Sequence, residues 1–164
     1  MPLESDPIGE ARRNWEAHGW PASGAMVAAT SIVRAQQLVV ARIDAALAPF
    51  NLTLSRFEAL ALLHFSRRGA LPMGKIGDRL QVHPASVTNA IGRLERDGLV
   101  RRAAADGDRR TVLAHITPAG RRVVQRAAAA LGEAEFGLDA LDEDERVAIH
   151  AALTPLRRAA GDMP

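Results

Sequence analysis

The chain of 164 residues contains no cysteine. That excludes disulfides, thiolate metal sites and thiol redox chemistry. It has no tyrosine, and all aromatics together make up 4% of it, so the core has to be aliphatic. Lysine is nearly absent too: Lys75 stands alone, and every other basic residue apart from histidine is an arginine. No apolar run approaches the ~20 residues that cross a bilayer, so no membrane contact is expected. Residues 1–15, MPLESDPIGEARRNW, lack the apolar segment of a secretory signal. The expected location is cytoplasmic. No G-x-S-x-G elbow, P-loop or G-x-G-x-x-G stretch occurs, so the chain reads as a protein without catalytic activity and without a cofactor. The histidines at 18, 64, 83, 115 and 150 are scattered, with no H-x-x-x-H spacing for a metal, although ligands from two subunits can still meet.

What is present is 48% hydrophobic and 24% charged, with abundant alanine. That composition suits one folded, mainly helical domain. The net charge of +2 conceals an uneven distribution. Residues 84–126 carry nine arginines against four carboxylates, whereas residues 127–164 carry three against eight. A localised basic block is stronger evidence for a nucleic-acid face than a total.

Punctuation along the chain predicts the elements. Asp6 caps a short helix over 6–18 that has Pro7 in its first turn and ends at Gly19. Trp15 lies on it. A long helix over 24–48 is apolar over a wide arc (Ile32, Val33, Leu38, Val39, Val40, Ile43, Leu47), which calls for more than one packing partner. The next helix begins near Ser55, where Ser55-Arg56-Phe57-Glu58 has the form of a capping box. Met73–Leu80 is a short helix, and Gln81-Val82-His83 is the turn into another that opens on Pro84 and stops at Gly98. In this second helix Val87, Ile91 and Leu94 form one apolar stripe. The opposite face carries Ala85, Asn89, Gly92, Arg93 and Arg96, flanked by Ser86 and Thr88, and is small and polar at its start and basic further on. Those groups suit base edges and phosphates in a major groove. Strands over 99–105 and 111–116 follow, joined by a turn containing Asp108, Arg109 and Arg110. Arginine at a hairpin tip suits the negative potential of a minor groove. Thr117-Pro118 opens a further helix, and a last one spans 142–159 with acidic residues at its start and arginines at its end, the order the helix dipole favours.

Helix, turn, helix and arginine-tipped hairpin, in that order, make a winged helix-turn-helix. The sequence LTLSRFEALALL, then MGKIGDRLQVHPASVTNAIGRLERDGLV, DGDRR and ITPAG, resembles the MarR family of transcriptional regulators over residues 24–160. The resemblance implies a mainly α fold with a small two- or three-stranded β wing. It also implies a homodimer built from residues 1–50 and 118–164, with the DNA-binding domain over 51–117. The partners would be a pseudo-palindromic double-stranded DNA operator and a small anionic or aromatic effector that releases it. Asp108 would orient the wing and Arg110 insert from it. The extra N-terminal helix is similar to that of the urate-responsive branch, in which a tryptophan, an acidic residue and arginines shape the pocket. Trp15, Glu58 and Arg102 would take those places, with Glu for the usual Asp and with Ala90 where that branch carries arginine. Two alternatives stay open: a protein-interaction module on the same scaffold, with the acidic C-terminal third as its partner face, and a metal-responsive regulator.

Overall fold

A computed structural model describes residues 5–105 and 108–163, with seven helices and three strands among them. Capping groups set the helix starts. The Asp6 carboxylate accepts the amide hydrogens of Ile8 and Gly9 at 3.0 Å and so opens α1 (Pro7–Ala17). Gly19, at φ +67°, closes the turn behind it. The Thr117 hydroxyl accepts from the Gly120 amide at 3.0 Å and opens α6 (Pro118–Glu133). Asp142 and Glu145 form a reciprocal capping box at the start of α7 (Glu143–Ala159).

The capping box expected at Ser55 does not form. The helix α3 begins one residue earlier (Leu54–Phe65) with Thr53 in the cap position, and the Thr53 side chain makes no cap bond. The Leu54 amide donates instead to Asp44 Oδ1 at 2.7 Å, near the end of the long helix α2 (Ser23–Leu47). A carboxylate from another helix has replaced the local cap.

By internal contacts the chain divides into two compact units, residues 1–41 and 42–164. In the first, the Trp15 indole N–H donates to the Pro21 carbonyl at 2.8 Å, and the Trp15 and Trp20 rings meet edge to face at 4.7 Å. The apolar side chains Ile32, Val33 and Leu38 of α2 are exposed in the protomer. An 18-residue window within 23–50 reaches a mean hydropathy of 1.3, so one helix is long and apolar enough to cross a membrane. Arg34, Gln36 and Gln37 interrupt this stretch, so it holds no unbroken apolar run of that length.

In the second unit the sheet is antiparallel in the order β1-β3-β2, with β1 (Ala70–Pro72), β2 (Val100–Ala105) and β3 (Asp108–Ile116). Strand β1 pairs Ala70 with His115 and Pro72 with Leu113. Strand β2 pairs Val100 with Ile116 and is irregular at Ala104/Ala105. The core is aliphatic, as the composition requires: Leu47, Leu60, Leu63, Ile76, Ile91, Leu94, Val100 and Leu131 are fully enclosed, and among the described residues Phe57 is the one buried aromatic. Helix α7 buries no residue in the protomer and exposes Val147, Ile149 and Leu156.

Candidate nucleic-acid interface

The helix α4 (Met73–Leu80) ends with Gln81 in the left-handed conformation, and α5 (Pro84–Arg96) starts three residues after it, with His83 as its cap. The His83 Nδ1 accepts the Ala85 amide at 3.2 Å, and Pro84 fills the first helical position, where no N–H is needed. Val87, Ile91 and Leu94 are buried, which fixes the rotation of α5 about its axis. Ser86, Thr88, Asn89, Arg93 and Arg96 are thereby turned to solvent.

Hydrogen bonds within that face bias its chemistry. Thr88 Oγ1 donates to the Pro84 carbonyl at 3.0 Å, so its hydroxyl is left to act toward a base as an acceptor. Arg93 Nε donates to Asn89 Oδ1 at 3.2 Å. That contact occupies the oxygen Asn89 would need for a bidentate grip on adenine, so such reading requires Arg93 to swing toward phosphate or a guanine edge.

The wing stands beside this helix. Arg102 on β2 and Arg110 on β3 line a hollow of about 640 Å³ together with Lys75 of α4 and Thr88 of α5. Lys75 pairs with Asp78 at 3.5 Å. Arg110 is exposed. Asp108 and Arg109 lie on β3, their side chains outside the described residues. The structure therefore brings Thr88, Arg102 and Arg110 to one concavity, with Ser86, Asn89 and Arg93 on the next face of α5.

Glu58 belongs to a different hollow, of about 420 Å³ between α3 and α5, that it shares with Arg56, Ser86, Asn89 and Arg93. Partial burial against these helices pushes its carboxyl above the usual range. Arg102 does not line this hollow; its guanidinium is held by Glu95. Trp15 lies in the N-terminal unit with its indole N–H already donated. Among the described residues no group of three His, Asp or Glu side chains is placed to hold a metal.

Sequence reasoning missed three contributors. Lys75, the chain's lone lysine, lies on α4, where no sequence pattern connects it to the wing. Arg56, largely buried, stands 3.8 Å from Asp97 Oδ2 and steadies the end of α5. Glu95 reaches across a turn to β2, and no local pattern marks a helix-to-strand contact.

The sequence profile of the MarR family matches residues 52–112, from Leu52 through the wing. Sco5413, a MarR family transcriptional regulator from Streptomyces coelicolor, is 50% identical, with a TM-score of 0.81 over 87% of this chain and 99% of that one. The chain belongs to the MarR family of transcriptional regulators. A second MarR family regulator of Streptomyces coelicolor, Sco3205, solved in complex with DNA, shares the fold at 22% identity and a TM-score of 0.76, covering 88% of this chain and 95% of that one. The HTH-type transcriptional regulator PecS of Dickeya dadantii is 28% identical over 78% of each chain. Within this MarR family fold α4 and α5 are the helix-turn-helix, α5 is the recognition helix, and β2 and β3 are the wing.

Proposed function

We propose that this MarR family regulator is a homodimeric, ligand-responsive repressor that binds a pseudo-palindromic operator in the cytoplasm. One observation carries the reading. A recognition helix anchored by Val87, Ile91 and Leu94 presents Ser86, Thr88, Asn89 and Arg93 beside a basic wing hollow containing Arg110. The base-reading residues are Ser86, Thr88, Asn89 and Arg93, and the wing contributes Asp108, Arg109 and Arg110. The DNA complex of Sco3205 supports the assignment through the shared fold. Residues 51–117 are the DNA-binding part, and residues 1–50 and 118–164 dimerise. The exposed apolar side chains of α2 and α7 support that division, since neither helix covers them within the protomer.

The test is binding to fragments of the protein's own upstream region across a salt series, read by electrophoretic mobility. A specific complex should weaken steeply with salt, because each phosphate contact releases counterions. Absence of any fragment preference at moderate salt would overturn the reading and favour a protein-interaction module. Sedimentation should show a dimer at micromolar concentration; a stable monomer with full operator affinity would remove the dimer.

The effector is a small anion or aromatic, for which Glu58 and Arg102 and, in the N-terminal unit, Trp15 are the candidate contacts. It acts by favouring a lobe spacing that no longer fits successive major grooves. Support comes from the Glu58 hollow, whose other wall is the reading face of α5. An effector that uses Arg102 has to compete with Glu95 for it. Titration calorimetry with phenolic and carboxylated aromatics tests this. The Trp15→Ala protein should keep DNA binding and lose release by the compound that binds wild type. Release at an unchanged concentration would move the pocket elsewhere and leave the N-terminal helix a brace.

A further inference from the structure

Among the described residues an ion pair joins the recognition helix to the wing. Glu95, in the last turn of α5, accepts the Arg102 backbone amide on Oε1 at 2.8 Å and the Arg102 Nε on Oε2 at 2.8 Å. A terminal nitrogen of the same guanidinium lies 2.6 Å from Oε2. One carboxylate thus holds both the main chain and the side chain of a single wing residue. An ordinary surface ion pair holds only two side-chain tips and leaves both backbones free. The two residues straddle Gly98, which sits at φ +71° and turns the chain from helix into strand. The clasp therefore closes the hinge point between the two elements that touch DNA.

Two further observations give the clasp a role beyond local order. Arg102 lines the hollow shared by Thr88, Lys75 and Arg110, so without Glu95 its charge would be offered to the same groove as theirs. Moreover, α5 is tied on its other side by Asp97, which accepts from Asn51 Nδ2 at 3.3 Å and lies 3.8 Å from Arg56. Two acidic residues, Glu95 and Asp97, hold the end of the recognition helix to the wing and to the body respectively. A carboxylate on a DNA-facing basic surface weakens phosphate attraction, so its placement there is explained by what it holds.

We propose that Glu95 is a positioning residue for operator reading: through Arg102 it locks the wing to the recognition helix and withholds one cation from the phosphates, so that the clasp sets sequence discrimination. The proposal rests on the operator-binding reading above. Both side chains are partly exposed, so the pair lies at the surface and outside the aliphatic core. Arg102 also keeps the Glu95 carboxyl below its usual range, so the clasp stays closed through mildly acidic pH.

The experiment compares wild type, Glu95→Gln, Arg102→Ala and the double variant. The probes are a duplex selected from a random pool by the wild-type protein and a scrambled duplex of the same length, each across a salt series. Glu95→Gln should lose roughly tenfold on the selected duplex, the scale of one mismatched base pair. It should also gain on the scrambled duplex, with a salt slope steeper by about 0.9 from the freed guanidinium. Arg102→Ala should show the same loss with no gain, and the double variant should lack the gain as well. Thermal midpoints close to wild type establish that the variants fold; if Glu95→Gln does not, Arg102→Ala still reads the loss. An unchanged selected-to-scrambled ratio in Glu95→Gln or Arg102→Ala overturns the proposal alone, as does a gain that persists in the double variant. A wild type that cannot tell the two duplexes apart overturns the operator-binding reading and the proposal with it.

Discussion

Replacing Gly120 by alanine tests how the wing is mounted on the body. Gly120 sits in the first turn of α6, and a Cβ there would lie 2.2 Å from the Leu99 carbonyl oxygen and 2.9 Å from Ile116 Cγ1. Ordinary contact begins at 3.4 Å, so helix and strand would have to separate by about 1 Å. The obstructing atom cannot rotate away, because it is backbone and accepts the Thr117 amide at 3.0 Å, with the Thr117 hydroxyl at 3.1 Å. Overpacking of this kind costs about 1–3 kcal/mol, and loosening the Thr117 contacts adds about 1 kcal/mol. The expected loss is therefore about 3 kcal/mol, a large part of the about 5–15 kcal/mol that holds a typical domain together. Urea unfolding at fixed protomer concentration measures it, since assembly makes the midpoint concentration-dependent. The midpoint should fall with an unchanged slope. A midpoint equal to wild type would mean that α6 is not seated against Leu99 and Ile116 as described.

The same substitution has the opposite sign at Gly92, in the middle of α5, where an added Cβ meets nothing within 4 Å. Gly92→Ala should stabilise by up to about 1 kcal/mol in the same urea assay, and a lower midpoint would refute the open surroundings. Asn89→Ala should cost about 1–3 kcal/mol of operator affinity and relax preference at particular base pairs. Arg110→Ala should weaken all duplexes alike and flatten the salt slope by about 0.9; wild-type behaviour of both would misplace the reading face. Glu58 titrates above its usual value through burial, so its ionised form costs stability at neutral pH, and the cost disappears as pH falls below the carboxylate range. Glu58→Gln should therefore raise the thermal midpoint slightly at pH 7, within about 0.5 kcal/mol, and leave it unchanged in acid; a drop at pH 7 would show the carboxylate to be paired.

Much of the fold was legible because its signals are local. Asp6-Pro7, Pro84, Gly98 and Thr117-Pro118 act on their own backbones, and the helices begin and stop at them. The failures have a common cause in distant partners. Strand β1 is three residues long, too short for alternation to show, and exists because β3 pairs with it. The start of α3 depends on Asp44, ten residues upstream, and not on Ser55. The reading face of α5 was evident because its buried stripe leaves only one side outward. The Glu95 clasp was not, since it joins a helix to a strand seven residues later, and neither helical nor strand periodicity connects them.

The edge-to-face tryptophan pair has a consequence for how this protein can be watched. Both indoles of the chain, Trp15 and Trp20, lie within residues 1–41, and with no tyrosine elsewhere the 42–164 unit has no strong near-ultraviolet chromophore of its own. Intrinsic fluorescence therefore reports on the N-terminal unit alone, whereas far-ultraviolet dichroism is dominated by helices of the larger unit. The two signals will superimpose during denaturation only if the units melt as one cooperative body. A gap between the curves would reveal a partly unfolded species in which the reading head persists after the tryptophan helix has come undone.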